Sequence, residues 1–116
     1  MDVRSLGEWE GHDLRGNPRG GHLPNALHLP HSKLTNGFFC EDDAKTREAV
    51  AWSKVDTSRP VITFCQSGVR AAHTAMMLRA VGAAHAAVFD ESMFSVTRQE
   101  EIPLETGRGA SRIGEL

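Results

Sequence analysis

A cysteine that directly follows a strand-like apolar run is the feature of this sequence best suited to chemistry. Residues 61–64 form a β-branched and aromatic run typical of a buried parallel strand, and Cys65 comes next. Small and polar residues then lead into a segment with helical spacing. Backbone N–H groups and the positive end of a helix stabilise a thiolate, which is the nucleophilic form of cysteine. The sequence therefore predicts a reactive thiol at Cys65, with a buried structural thiol as the alternative.

The loop after Cys65 has the residue types of an anion cradle. Its glycine, Gly68, allows a tight backbone turn, so that successive N–H groups can point inward. Arg70 has a fork of donors that can either brace the loop or bind an anionic substrate. We therefore expect the segment of Gln66, Ser67, Gly68, Val69 and Arg70 to form a loop that stabilises negative charge at Cys65.

Alternating strand and helix patterns surround this loop. They predict an α/β domain with a mostly parallel sheet, whose ligands bind at the carboxyl ends of the strands, where Cys65 lies. A loop composition covers 11–25, with four glycines and two prolines. The expected elements are strands at 1–4, 26–29, 61–64 (covered on both faces) and 86–89, and helices at 41–53, from the loop to Gly82, and at 92–98.

Length and charge exclude several classes of protein. The 116 residues (12.7 kDa) suffice for one domain, and we expect it to cover 1–106, followed by a flexible tail at 107–116. A formal charge of -2 argues against a nucleic-acid partner, and no apolar run is long enough to span a membrane. Two cysteines suit a reducing, cytoplasmic compartment, where Cys40 is an incidental or buried thiol. The six histidines show no metal-ligand spacing, so no metal and no other cofactor is expected.

The cysteine loop resembles the active-site loop of rhodanese-type sulfurtransferases. The region 34–38 makes the chain most similar to the catalytic C-terminal half of tandem-domain thiosulfate and mercaptopyruvate sulfurtransferases. This resemblance implies a three-layer α/β domain with a central, mostly parallel sheet flanked by helices. The matching segments are Cys65-Gln66-Ser67-Gly68-Val69-Arg70-Ala71-Ala72-His73, Asp2-Val3-Arg4, Glu8-Trp9 with Gly11, Gly21-His22-Leu23-Pro24-Asn25-Ala26, Lys54-Val55-Asp56, Pro60-Val61-Ile62 and Phe89-Asp90-Glu91-Ser92.

The resemblance also implies a reaction. A Cys65 thiolate would take the outer sulfur of thiosulfate, release sulfite, and pass the sulfur from its persulfide to cyanide or a thiol. Asp2 and Arg4 would brace the loop, and His22 would shape its own turn. Because Glu8 and Ser67 occupy positions where mitochondrial-type rhodaneses have cations, Arg70 would supply the positive charge, with help from Arg4 or Arg19.

Other departures from the family pattern bear on specificity and completeness. Gln66 and Arg70 argue against the mercaptopyruvate reaction, whose enzymes have glycine and threonine there. Met93 and Val96 replace tryptophans, which predicts a looser pocket and lower activity. The chain begins inside the expected first strand, so a partner domain or partner chain is a further expectation for that side.

Two further alternatives come from different functional classes. Cysteine phosphatases of the same fold place one more residue between cysteine and arginine than the four between Cys65 and Arg70, and many have histidine where Phe64 stands. A non-catalytic rhodanese-like binding module or sulfur carrier is the other alternative, because fold does not determine function. Retention of Cys65, Gly68 and Arg70 favours an enzyme.

Overall fold

The computed structural model describes residues 1–35 and 43–114. It confirms the predicted strand, loop and helix around Cys65. The helix expected over 41–53 begins at Asp43 among the described residues, whereas Cys40 and most of the 34–38 motif lie outside them. In chain order the elements are α1 (Leu6–Glu10), a 3-10 turn (His31–Lys33), α2 (Asp43–Ser53), β1 (Val61–Thr63), α3 (Val69–Ala80), β2 (Ala86–Val88) and α4 (Ser92–Val96).

The sheet is built on the parallel pair of β1 and β2, with Val61 opposite Ala86. Two extended segments continue it through isolated parallel bridges, from Phe64 to Asp2 and from Asp2 to His28. The regular strands predicted at 1–4 and 26–29 are therefore wrong in extent, although both segments are extended and lie at the predicted place. The second segment is short because Asn25 has a φ of 63° and Pro30 lacks an N–H to continue the pairing.

Helices cover both faces of this sheet. On one face Val61 packs with Ala75 and Leu78 of α3. On the other face Phe64 packs with Met93 and Val96 of α4. Side chains alternate between faces along a strand, so Ile62 shares the face of Phe64, and there it is 48% exposed. The expectation that the whole 61–64 run is covered on both faces is therefore wrong at Ile62, because periodicity does not show how far a covering helix extends.

The short helix α1 was not among the predicted elements. Ser5 caps it, since the Glu8 N–H donates to the Ser5 hydroxyl and the Ser5 N–H donates to the Glu8 carboxylate. This reciprocal capping box can be recognised in the sequence by a serine three positions before a glutamate. The helix buries Glu8 and Trp9 completely, and so carries a carboxylate into the interior.

The C-terminal segment contacts the domain. The Trp9 indole N–H donates to the Arg108 carbonyl at 2.7 Å, and the Ser111 hydroxyl lies 2.7 Å from Nδ1 of His28. Ser111 is 5% exposed. These contacts place part of the 107–116 segment against α1 and the sheet, while its flexibility and the predicted boundary at 106 stay predictions.

A buried histidine predicts how stability depends on pH. Burial lowers the pKa of His28 from 6.5, and its Nε2 donates to the Arg4 carbonyl, so Nδ1 accepts from Ser111. Because the unfolded chain takes up this proton at higher pH than the folded chain, the free energy of unfolding should fall as pH drops below about 6.5. We expect thermal unfolding between pH 7.5 and 5 to show a shallower loss of Tm for His28→Gln than for wild type. An equal loss in both proteins would contradict this assignment.

Candidate active site

The Cys65 sulfur lies at the carboxyl end of β1, within a curl of backbone donors. The Gly68 N–H donates to Sγ at 3.1 Å, and the backbone N–H groups of Ser67 and Ala71 lie near enough to stabilise a negative charge on the sulfur. Burial alone would raise the pKa of the Cys65 thiol, but these donors together with the charge of Arg70 outweigh burial and lower it from its ordinary value. The arrangement therefore favours the thiolate, as the sequence predicted.

The amino end of α4 fixes the position of this loop. The Ser92 hydroxyl accepts from the Cys65 N–H at 3.0 Å and donates to the Phe89 carbonyl at 2.9 Å. The N–H groups of Met93 and Phe94 donate to the carbonyls of Cys65 and Gln66 at 2.9 and 3.0 Å. The N–H of Cys65 and the carbonyls of Cys65 and Gln66 are thus all bonded to α4, and these bonds hold the sulfur at a defined place.

Gly68 stands where no other residue fits. Its φ is 99°, in the left-handed region. An added Cβ would lie 2.7 Å from Oδ1 of Asp90 and 2.9 Å from the Asp90 carbonyl oxygen. The tight approach of the loop to the segment before α4 thus requires glycine.

Gly68→Ala is expected to disturb both the fold and the sulfur. Positive φ and the clash with the Asp90 backbone should lower the free energy of unfolding by about 2 kcal/mol or more. Displacement of the N–H donor should lower sulfur transfer by about tenfold or more. Gly82→Ala is the matched control, because Gly82 has a φ of 106° but nothing within 4 Å of an added Cβ. Thermal unfolding and a sulfur-transfer assay check this, and equal losses in the two variants would contradict it.

Arg70, which is partly exposed, forms an ion pair with the buried Glu8. Its Nη1 and Nη2 donate to the two carboxylate oxygens at 2.8 and 2.9 Å, and the Glu8 side chain is fully buried. Burial would raise the pKa of Glu8, but the hydrogen bonds from Arg70 and Ser5 outweigh it and lower this pKa to about 2. The carboxylate is therefore ionised at neutral pH, and the guanidinium is held beside the loop by α1.

The remaining loop residues occupy different environments. Gln66 exchanges two amide hydrogen bonds with Asn17, at 2.7 and 2.8 Å. Arg98 donates to the same Asn17 oxygen at 3.1 Å. Ser67 is exposed, and Val69 is 77% exposed at the start of α3. The loop thus presents Ser67 and Val69 to solvent, while Gln66 is tied to the 11–25 region.

Two of the predicted supporting residues, Asp2 and Arg4, form a buried ion pair beside the strand end that precedes Cys65. Asp2 accepts two hydrogen bonds from Nε of Arg4 and one from Nη2 at 2.7 Å, and both residues are buried. Arg4 also donates to the Gly21 carbonyl at 2.7 Å. Because Asp2 bridges Phe64, this pair stabilises the strand end that precedes Cys65.

Arg19 and His22 also bond to the protein itself. Arg19 donates to four backbone carbonyls between Val96 and Ile102. His22 is buried, stacks on Trp9 at 3.7 Å, and its Nδ1 lies 2.8 Å from the Trp9 carbonyl. These partners favour bracing roles for Arg4 and Arg19 over the donor binding suggested by the sequence.

Three residues of the site were not predicted. Glu8 was noted in a matching segment and as a departure from mitochondrial-type rhodaneses, but not as a partner of Arg70, and Ser92 and Asn17 were given no role at the loop. The capping box at Ser5 and Glu8 could have signalled α1, but not the pairing with Arg70. No local signal in the sequence indicates that the Ser92 hydroxyl meets the Cys65 N–H.

The described residues contain neither a cluster that could hold a metal ion nor a helix that could span a membrane. Within residues 1–35 and 43–114, no group of three or more His, Cys, Asp or Glu side chains could hold a metal ion. Two histidines meet near the loop, with Nε2 of His31 and Nδ1 of His73 2.7 Å apart. None of the described helices is long and apolar enough to cross a membrane.

Comparisons with known proteins identify a family and several relatives of similar sequence. A family model described as a rhodanese-like domain matches residues 1–99. The thiosulfate sulfurtransferase of Corynebacterium glutamicum is 33% identical, over 92% of this chain and 38% of its own length. That of Gallus gallus is 31% identical over 79% of this chain and 32% of its own length. The 3-mercaptopyruvate sulfurtransferase of Mus musculus is 27% identical over 97% and 39%. The chain thus spans less than two fifths of the length of these relatives.

Solved structures show the same fold. The Tum1 protein of Saccharomyces cerevisiae aligns with a TM-score of 0.71 and 24% identity, over 91% of this chain and 40% of that one. A cysteine-persulfide form of an EanB variant with ergothioneine aligns with a TM-score of 0.76 and 23% identity, over 90% and 23%. At these identities the likeness concerns the fold alone.

Proposed function

The chain belongs to the rhodanese-like domain family, and on that premise we propose that it transfers a sulfane sulfur from thiosulfate to a thiophilic acceptor through a persulfide on Cys65. Its matched relatives are sulfurtransferases of the rhodanese type. The observation that carries the proposal is the Cys65 sulfur surrounded by the N–H groups of Ser67, Gly68 and Ala71, with its pKa lowered.

The first half-reaction is a displacement at sulfur. The Cys65 thiolate attacks the outer sulfur of thiosulfate, the S–S bond of the donor breaks, and sulfite leaves with the electron pair. The product is Cys65–S–S⁻, so the two charges of thiosulfate leave with sulfite and the charge of the thiolate moves to the terminal sulfur. The same N–H donors that stabilise the thiolate are positioned to stabilise the persulfide anion.

The second half-reaction returns the enzyme to its starting state. Cyanide or a thiolate attacks the terminal sulfur, takes it as thiocyanate or an organic persulfide, and releases the Cys65 thiolate. No oxidant or reductant is consumed. The donor reacts with the Cys65 thiolate and leaves before the acceptor reacts with the Cys65 persulfide, so the kinetics should be ping-pong.

Thiosulfate is favoured over mercaptopyruvate as the donor by the identity of the loop residues. The matched relatives include both kinds of enzyme. Mercaptopyruvate enzymes of this family have glycine after the cysteine and threonine five positions after it, where this chain has Gln66 and Arg70. Gln66 is held by Asn17 and Arg70 by Glu8, so neither side chain reproduces those groups.

Thiocyanate formation from thiosulfate and cyanide tests the proposal. The purified chain should produce thiocyanate with parallel double-reciprocal plots, and replacement of thiosulfate by 3-mercaptopyruvate should lower kcat/KM. Higher kcat/KM with mercaptopyruvate would reverse the donor assignment. Hydrolysis of an aryl phosphate without any sulfur transfer would instead favour the phosphatase alternative.

We also propose a cytoplasmic location, supported by the presence of only two cysteines.

A further inference from the structure

The positive charge beside Cys65 is compensated. Arg70 is paired through both terminal nitrogens with Glu8, which is fully buried and ionised at neutral pH. A bidentate pair of this kind is rigid, and it leaves the guanidinium with little net attraction for a second anion. A donor anion that approaches the sulfur therefore interacts with a nearly neutral Arg70–Glu8 pair and not with a single cation.

Two other arginines of the amino-terminal region, Arg4 and Arg15, are also paired with carboxylates. Arg4 is buried against Asp2. Arg15 lies 3.5 Å from the Glu8 carboxylate and 3.3 Å from that of Asp13. Each of these two cations is thus close to a carboxylate, and a doubly charged donor gains little over a singly charged one from either of them.

A small cavity borders Arg70 and has walls without further net charge. Its volume is about 190 Å³, enough for a small organic group. Burial and the neighbouring His73 lower the pKa of His31, which is therefore neutral at pH 7 and above. The other described lining residues carry hydroxyl or apolar side chains, namely Val3, Ser5, Pro30, Ser32 and Thr35.

We propose that Glu8 determines donor specificity, and that the site prefers a sulfur donor with one negative charge and a small organic group, such as an organic thiosulfonate, over dianionic thiosulfate. This inference rests on the proposed function and names the donor class of the same site. In the transfer the Cys65 thiolate attacks the sulfane sulfur of the thiosulfonate, the S–S bond of the donor breaks, and an organic sulfinate leaves with the electron pair. Cys65–S–S⁻ is formed as with thiosulfate, and the single charge of the donor leaves on the sulfinate.

A pair of donors that differ by one charge tests the role of Glu8. Values of kcat and KM are measured with thiosulfate and with methanethiosulfonate, cyanide being the acceptor, for wild type, Glu8→Gln and Glu10→Gln. Glu10 lies on the same helix, and its substitution changes the net charge equally without removing the partner of Arg70. In Glu8→Gln the freed charge should lower KM for thiosulfate relative to KM for methanethiosulfonate by about fivefold or more. Glu10→Gln should leave this ratio within about twofold of wild type.

The outcomes separate this inference from the proposed function. If wild type forms no persulfide with either donor, the proposed function fails and the inference with it. If both donors react but the KM ratio is the same in all three proteins, the charge role of Glu8 is overturned while the proposed function stands. A general loss of kcat without a change in the ratio would likewise assign Glu8 a purely structural role.

A measurement on wild type covers the case in which Glu8→Gln does not fold. Sulfate and methanesulfonate are unreactive anions of similar shape that differ by one charge, and both are tested as competitive inhibitors against thiosulfate. An inhibition constant for methanesulfonate equal to or lower than that for sulfate supports the inference. Tighter inhibition by sulfate would overturn it, because a site with an uncompensated cation binds the dianion more strongly.

Discussion

Replacement of Cys65 by serine is expected to abolish sulfur transfer, with a loss of at least about a thousandfold in kcat. A serine hydroxyl is not ionised near neutral pH and cannot form a persulfide, so the hydrogen-bonding loop keeps its shape but has no sulfur to carry. The fold should tolerate the change because the side chains are similar in size. Thiocyanate formation and thermal unfolding measure the two effects.

The other cysteine provides the matched control. Cys40 lies outside the described residues and has no predicted role in the reaction. Cys40→Ser should retain kcat within about twofold of wild type. If Cys65→Ser kept a substantial part of the activity, or if Cys40→Ser lost it, Cys65 would not be the residue that carries the sulfur.

Asp2→Ala is expected to have the largest effect on stability. Asp2 is fully buried, bonds to the side chain and N–H of Arg4, and lies in the bridge that joins Phe64 to His28. Removing its carboxylate leaves the Arg4 guanidinium buried without a counter-charge, which costs about 3–5 kcal/mol. The strand end before Cys65 should lose order, whereas the chemistry of the thiol should change less.

Urea denaturation and the rate of Cys65 alkylation test this prediction together. Asp13→Ala is the control, since Asp13 is exposed and its contact with Arg15 is a surface ion pair worth less than about 1 kcal/mol. Should Asp2→Ala not fold, Asp2→Asn keeps an oxygen that can accept from Arg4 and should be intermediate in stability. Wild-type stability and sulfur transfer in either Asp2 variant would contradict a bracing role.

The part of the site that is formed by residues close together in the sequence could be predicted. A β-branched run, then Cys65, then Gly68 and a helical pattern are local signals, and together they specify a strand, a turn with positive φ and a helix. The lowered pKa of Cys65 follows from the same local geometry, because its donors lie between two and six residues further along the chain.

Contacts between distant segments could not be predicted in this way. Glu8 and Arg70 are 62 positions apart, and each has a side chain that is usually exposed. Only the fold brings α1 next to the loop, where the buried Glu8 pairs with the partly exposed Arg70. The Ser92 hydroxyl at the Cys65 N–H depends likewise on where the segment between β2 and α4 passes the loop.

Arg19 shows why the partners of an arginine cannot be read from the sequence alone. The family resemblance suggested Arg19 as a cation that helps Arg70 to attract the donor. Its guanidinium instead bonds the carbonyls of Val96, Thr97, Gln99 and Ile102, which ties the region after α4 to the 11–25 loop. Unpaired carbonyls after a short helix cannot be recognised before the helix end is known.

The intact mass of the protein before and after treatment with thiosulfate tests the central claim most directly. A persulfide on Cys65 predicts a gain equal to one sulfur atom, absent in Cys65→Ser and reversed by cyanide with release of thiocyanate. A folded wild-type protein that gains no mass from thiosulfate or from methanethiosulfonate would contradict the claim that this chain carries sulfur on Cys65.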